Sequence, residues 1–234
     1  MARHELSRRE LLTGAGILGA GLAASRLGLA AETPEQPPRT AEDALARLRA
    51  GNRRFVEGKT RHAHESADWR KMLTVGQHPF VTLLCCSDSR VPPELVFDQG
   101  FGELFVIRVA GNVIAADVLG SIQYAVRHLA TPLLVVMGHE ECGAVTAAVE
   151  SLDGKGREPK YIEALVKLIE PGLAQLPRNL NKKARINAAV EANVRWSMKQ
   201  LAELPEGSWA LEKKVITLAG AVYELGTGSV RFLR

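Results

Sequence analysis

HPFVTLLCCSDSR, residues 78–90, joins a short apolar run to two adjacent cysteines and a closely spaced acid and base. The run is rich in β-branched residues and is bounded by a proline and by polar residues, which predicts a buried strand that ends at Cys86. Successive residues of a strand point to opposite faces, so we expect the two thiols to serve different purposes. By this alternation Cys86 shares a face with Asp88, whereas Cys85 fills space in the core, as free cysteines commonly do.

Strand and helix patterns alternate along the chain on both sides of this stretch. Further strands are predicted for residues 103–109 (ELFVIRV), 133–139 (LLVVMGH), 215–225 (VITLAGAVYEL) and 229–233 (SVRFL). Helices are predicted from Thr40 to near Gly58, over Asn112–Leu129, from Cys142 onward, and over Tyr161–Leu173 and Asn181–Leu204. This alternation predicts an α/β fold with a mostly parallel central sheet, flanking helices and a closing antiparallel strand.

Composition is that of an ordinary globular protein, and the length is enough for one domain of ordinary size or at most two small ones. The 234 residues are 46% hydrophobic and 24% charged, with a net charge of +4. The basic residues are scattered along the chain, which argues against binding to nucleic acid. Three cysteines are too few, and odd in number, for a disulfide framework.

The first 31 residues differ from the rest of the chain. Arg8 and Arg9 precede a mildly apolar run, and small residues follow near Ala30 and Ala31. The order S-R-R-x-L-L resembles a twin-arginine export signal, so we expect a periplasmic or secreted protein. The alternative is a disordered basic tail. The apolar run is short, rich in glycine and interrupted by Arg26, so no stable membrane anchor is expected.

The predicted organisation has three parts. Residues 1–31 form the export signal, residues 32–39 form a proline-rich linker, and residues 40–234 form a single catalytic domain. Export of this kind carries proteins that are already folded. A metal bound in the cytoplasm would then reach an oxidising compartment with its thiol ligands occupied.

A second group of polar residues follows the third predicted strand. His139 and Cys142 are spaced i, i+3, as metal ligands on one turn often are. Functional groups collect beyond the carboxyl ends of parallel strands, where Cys86 also lies. Two thiolates and one imidazole suit Zn²⁺, with a fourth position left for an exchangeable ligand. The sequence therefore predicts a catalytic zinc site.

Asp88 and Arg90 lie two and four residues after the first predicted ligand. The carboxylate can bind the metal directly and close the site, or it can accept a hydrogen bond from zinc-bound water. Arg90 is always charged and binds carboxylates with two hydrogen bonds, so it can hold Asp88 away from the metal. The simpler interpretation is an exposed ion pair.

The motifs C-x-D-x-R and H-x-x-C, with GELFVIR and the closing AGAVYELGTGSVRFL, resemble those of the β-class carbonic anhydrases. The resemblance extends from about Thr40 to Leu233. It implies that Zn²⁺ is held by Cys86, His139 and Cys142, and that Asp88 and Arg90 form a catalytic dyad. It also implies reversible hydration of CO₂ to bicarbonate by zinc-bound hydroxide, in a homodimer or larger homo-oligomer whose first helix embraces the partner.

The same resemblance implies substrate contacts. Gln77 corresponds to an amide that hydrogen-bonds the substrate oxygens. Phe105 and Tyr124 correspond to residues that line an apolar CO₂ pocket, partly across a dimer interface. Gly143 lies where a backbone amide can help to hold bicarbonate.

One subset of the family closes its zinc site and has a tryptophan three residues before the first zinc cysteine. This sequence has Leu83 there, so we expect an open site, with Asp88 as a fourth ligand in a closed state at low pH. Other functions considered are hydrolysis of CS₂ or COS at the same site, a non-catalytic zinc-binding module, and a hydrolase with a cysteine nucleophile.

Overall fold

A computed structural model describes residues 37–233, in which helices surround one five-stranded sheet. The helices are α1 (Ala41–Val56), α2 (Ala67–Met72), α3 (Pro93–Val96), α4 (Ala116–Tyr124), α5 (Gly143–Leu152), α6 (Lys160–Ile169), α7 (Lys182–Glu203) and α8 (Pro205–Glu212). The strands are β1 (Val81–Cys85), β2 (Leu104–Arg108), β3 (Leu133–His139), β4 (Thr217–Tyr223) and β5 (Val230–Phe232). Among residues 37–233, no helix is both long enough and apolar enough to span a membrane.

The strands lie in the order β2-β1-β3-β4-β5. All neighbouring pairs are parallel except β4 and β5, which are antiparallel. The predicted α/β fold, with its parallel sheet and closing antiparallel strand, is therefore confirmed. The predicted export signal and most of the predicted linker lie outside the described residues.

The sheet has a separate apolar core on each face. Val81, Leu83 and Cys85 of β1 belong to the core beneath α1 and α3. Leu84 and Cys86 belong to the core beneath α4 to α7. The alternation expected of a strand thus separates the two adjacent cysteines, although the strand itself ends at Cys85, one residue earlier than predicted.

The segment after β2 departs from the prediction of a helix beginning at Asn112. Residues 110–112 form a tight turn in which Gly111 and Asn112 have φ angles of 68° and 44°. The left-handed conformation of these two residues is incompatible with a right-handed helix. Helix α4 therefore begins four residues later, at Ala116.

Helix α7 packs closely against β3. A Cβ atom on Gly138 would lie 2.8 Å from Cγ2 of Val194 and 3.0 Å from Cγ1 of Val190. Glycine at this position lets the helix approach the strand. Because Gly138 directly precedes His139, α7 is held beside the carboxyl end of β3, where that histidine lies.

Candidate metal centre

Three buried side chains converge where β1 and β3 end. The ligand atoms of Cys86, His139 and Cys142 all lie within 4.8 Å of one another. Cys86 directly follows β1, His139 is the last residue of β3, and Cys142 is the N-cap of α5. Since β1 and β3 are adjacent and parallel, their carboxyl ends meet at one edge of the sheet.

The imidazole of His139 is oriented by the backbone. Its Nδ1 lies 2.8 Å from the carbonyl oxygen of Glu140. A carbonyl only accepts, so Nδ1 carries the proton and Nε2 keeps a free lone pair. Nε2 is buried and has no hydrogen-bond partner within residues 37–233. A buried nitrogen of this kind, facing two sulfur atoms, fits a metal ion.

The sulfur atoms of Cys86 and Cys142 lie close enough to influence each other. A hydrogen bond from the Cys142 thiol lowers the pKa of Cys86 below its usual range, with burial opposing and the Gly111 amide assisting. The same hydrogen bond, together with burial, raises the pKa of Cys142. The amides of Ala144 and Val145, at the start of α5, act in the opposite direction. A soft divalent cation fits between these groups, because two thiolates and one imidazole suit Zn²⁺.

The carboxylate of Asp88 lies beside this cluster and is bound by Arg90. Nε of Arg90 donates to Oδ1 at 2.9 Å and Nη2 donates to Oδ2 at 2.7 Å. The Arg90 backbone N–H also donates to Oδ1, and Nη2 reaches the carbonyl of Glu141. The hydrogen bond from the Arg90 side chain is the main reason that the pKa of Asp88 lies well below its usual range. The carboxylate is therefore ionised and held in place.

Two residues with no role predicted from the sequence also hold Cys86 in place. Arg108, the last residue of β2, donates from Nε to the Cys86 carbonyl at 3.0 Å and from Nη2 to the Asp88 carbonyl at 2.6 Å. The N–H of Gly111 donates to Cys86 Sγ at 3.3 Å. Arg108 could have been found from the sequence, because it is the second-last residue of the predicted strand 103–109, whose carboxyl end lies beside that of β1. The local signal for the turn is the Gly111–Asn112 pair, since both residue types tolerate a left-handed backbone.

Cys85 lies on the opposite face from the cluster. It is fully buried in the core beneath α1 and α3. Burial raises the pKa of its thiol to about 12, which keeps it protonated and unsuited to bind a metal.

The predicted substrate residues divide into two groups. Gly143 is the first residue of α5, is exposed, and adjoins Cys142. Gln77 is exposed and precedes β1, at the end of that strand remote from Cys86. Phe105 pairs with residue 82 near the start of β1, and its ring centroid lies 6.1 Å from that of Tyr124. One chain thus brings only Gly143 to the cluster, and the roles of the other three stay predictions.

An apolar cavity of about 750 Å³ lies elsewhere in the molecule. Leu134 and Leu218, near the starts of β3 and β4, contribute to its lining. The cysteine–histidine cluster lies at the other ends of the strands, so this cavity is separate from it.

Comparison with known proteins agrees with this geometry. A family model described as carbonic anhydrase matches residues 81–230. Carbonic anhydrase 2 of Mycobacterium tuberculosis is 37% identical over 185 residues, which cover 77% of this chain and 87% of the relative. Carbonic anhydrase of Mycolicibacterium smegmatis is 37% identical over 188 residues, covering 78% and 88%. The solved structure of the β-carbonic anhydrase CcaA superposes with a TM-score of 0.65 at 30% identity, covering 81% of this chain and 95% of that one.

The fold and the cluster define an α/β protein with a Cys–His–Cys triad at the carboxyl ends of parallel strands. The chain belongs to the β-class carbonic anhydrase family, and its reaction is the reversible hydration of CO₂ to bicarbonate and a proton.

Proposed function

We propose that Cys86, His139 and Cys142 hold one Zn²⁺ at which CO₂ is hydrated. The observation that carries this proposal is the convergence of three buried ligand atoms within 4.8 Å of one another. The buried His139 Nε2, which keeps a free lone pair, supports it. When bound, zinc supplies a Lewis acid that activates water near neutral pH.

Asp88 and Arg90 are proposed to act on the reacting water. Oδ2 of Asp88 accepts a hydrogen bond from this water and orients it, because the carboxylate is ionised and accepts only. Arg90 holds both carboxylate oxygens and so keeps Asp88 out of the ligand set. The backbone amide of Gly143, at the start of a ten-residue helix, is proposed to bind the bicarbonate anion.

A homodimer or larger homo-oligomer is proposed to complete the substrate pocket. Gln77 and Tyr124 are exposed on a single chain, and Phe105 lies on β2 at the edge of the sheet. None of the three approaches the metal ligands of its own chain. A second copy packed against β2, an outermost strand of the sheet, would supply these three residues to the substrate pocket of the first copy.

Export through a twin-arginine-type signal in residues 1–31 is also proposed, with delivery to the periplasm or secretion. The order S-R-R-x-L-L supports it. Residues 32–39 then serve as the linker and residues 40–234 as the single catalytic domain. Replacement of Arg8 and Arg9 by lysine is expected to retain the precursor in the cytoplasm, whereas Arg26→Lys is expected to leave export intact. Mass spectrometry of the exported protein would locate the cleavage, which we expect near Ala30 or Ala31.

The competing functions have no support from the comparisons. A non-catalytic zinc module has no need of the Asp88–Arg90 pair beside its ligands. Hydrolysis of CS₂ or COS would be favoured only if sulfide release from COS exceeded the rate of CO₂ hydration.

Metal analysis combined with a stopped-flow assay of CO₂ hydration tests the proposed site. We expect one zinc per chain, loss of activity on treatment with a chelator, and recovery when zinc is returned. Full activity in a zinc-free preparation would overturn the proposal.

A further inference from the structure

The turn at residues 110–112, called the Gly111 turn here, lies directly against Cys86. The Gly111 N–H donates to Cys86 Sγ at 3.3 Å. The turn is closed by a hydrogen bond from Asn112 N–H to the Val109 carbonyl at 2.9 Å. Val109 N–H in turn donates to the Cys85 carbonyl at 3.1 Å. These hydrogen bonds join Val109 to the backbone of Cys85, and Gly111 to the sulfur of Cys86.

The backbone of the Gly111 turn is left-handed at two successive residues. Gly111 has a φ of 68°, and Asn112, which has a side chain, has a φ of 44°. A non-glycine residue in this region persists where the surrounding structure holds it, and such residues concentrate at functional sites. A Cβ on Gly111 would lie 2.8 Å from Cδ1 of Ile169 and 3.1 Å from Cβ of Ala144, so the turn is also tightly enclosed.

Two side chains of α7 hold this turn in place. Nδ2 of Asn193 donates to the Gly111 carbonyl at 2.8 Å. Oγ of Ser197 donates to the Asn112 carbonyl at 3.1 Å. Asn193 and Ser197 are each only 1% exposed. They are four residues apart and so lie on one face of the helix. Each binds one of two successive carbonyl groups in the turn.

The position of α7 is itself fixed against the strand that carries another ligand. Val190 and Val194 approach Gly138 closely, and Gly138 directly precedes His139. One helix thus contacts β3 beside His139 and holds the turn that donates to Cys86. The spacing between these two ligands is set in part by α7.

We propose that Asn193 and Ser197 are positioning residues of the metal centre, acting through the Gly111 N–H on the sulfur of Cys86. The inference rests on the proposed zinc site and extends it to two residues of α7, which follows all three proposed ligands in the chain. A hydrogen bond from an N–H group orients the ligand sulfur and offsets part of the negative charge of the thiolate. Partners of this kind in the outer shell of a metal site commonly change its affinity by 10- to 100-fold.

The test measures zinc affinity by competition with a chromophoric chelator in Asn193→Ala and Ser197→Ala proteins. Asn193→Ala is expected to weaken zinc binding by about 10- to 100-fold, and Ser197→Ala by about tenfold. In the Co²⁺-substituted proteins, we expect the thiolate-to-cobalt charge-transfer band to shift relative to wild type. Both readouts report on the ligand sulfur and not on turnover.

Asn52→Ala is the matched control for a buried asparagine. Asn52 is 7% exposed and donates from Nδ2 to the carbonyls of Val96 and Gly228 at 3.1 and 2.8 Å. It lies on α1, which packs on the opposite face of the sheet from the metal cluster. Its loss is expected to lower Tm while zinc affinity and the cobalt spectrum stay as in wild type.

Wild-type zinc affinity in the two α7 variants would overturn the inference while leaving the proposed function intact. Equal weakening in Asn52→Ala would also overturn it, because the effect would then follow from lost stability alone. If Asn193→Ala does not fold, Ser197→Ala decides the question by the same criteria. A wild-type protein that binds no zinc would overturn the proposed function, and this inference with it.

Discussion

Nε2 of His139 lies 3.8 Å from Oδ2 of Asp88. The carboxylate thus stands at the edge of the ligand triad while both of its oxygens are bound by Arg90. Asp88 is near enough to serve as a fourth ligand, but its carboxylate is hydrogen-bonded to Arg90 instead. Release of Asp88 from Arg90 would be the first step toward a closed site, and Arg90 therefore favours the open arrangement expected from Leu83.

Asp88→Asn is expected to reduce CO₂ hydration by about 100-fold or more while zinc stays bound. Asparagine keeps the shape of the side chain but loses the charge that pairs with Arg90 and the second accepting oxygen. The measurements are stopped-flow CO₂ hydration and metal content on the same preparation. Asp153→Asn is the matched control, because Asp153 binds Arg185 with two hydrogen bonds of 2.7 and 2.8 Å and lies outside the metal centre. Unchanged activity in Asp88→Asn would contradict the assigned role.

The adjacent cysteines are expected to respond in opposite ways to substitution. Cys86→Ala removes a proposed zinc ligand and should lose zinc and activity together. Cys85→Ala leaves a small space in the core beneath α1 and α3 and should cost about 1 kcal/mol of stability. Zinc content and most of the activity should persist in Cys85→Ala. Similar behaviour of the two variants in metal analysis and thermal unfolding would show that the separation of the thiols has no functional consequence.

Local patterns in the sequence were sufficient for the sheet and for part of the centre. The apolar runs of β1 and β3 predict buried strands, and period-two alternation assigns Cys85 and Cys86 to different faces. The carboxyl ends of neighbouring parallel strands lie side by side, and this rule alone places His139 near Cys86. These features depend on short stretches of chain.

The contacts that hold the centre could not be predicted in this way. Asn193 is 82 residues from the carbonyl that it binds, and no spacing rule links the two. Gly111 and Asn112 are residue types that tolerate a left-handed backbone, but the enclosure of the turn by Ile169 and Ala144 is a tertiary feature that no local pattern shows. The helical pattern from Asn112 onward therefore predicted a start four residues before the observed start of α4.

The ion pair between Asp153 and Arg185 is expected to give a measurable pH dependence of stability. Arg185 lowers the pKa of Asp153 from 3.8 to about 2. A carboxylate with a lowered pKa in the folded state stabilises the fold fully above its unfolded pKa, and the contribution is lost as the pH falls toward the folded pKa. The Tm of Asp153→Asn should lie below that of wild type by a constant amount at pH 5–7. The difference should shrink below about pH 4. A difference in Tm that does not change with pH would contradict the assignment.

Close packing of α7 on β3 is expected to make Gly138 intolerant of a side chain. In Gly138→Ala the added methyl group would lie 2.8 Å from Val194 and 3.0 Å from Val190. Both valines are stiff at χ1, so the helix must shift, at a cost of about 1–3 kcal/mol. Gly120→Ala is the control, because Gly120 is exposed on α4 and a Cβ there meets nothing within 4 Å. That substitution should stabilise the protein by about 0.5–1 kcal/mol, since alanine is the better helix former. Chemical denaturation of both variants measures the two changes in the free energy of unfolding. A Gly138→Ala protein as stable as wild type would mean that α7 is not held against β3 as closely as its contacts indicate.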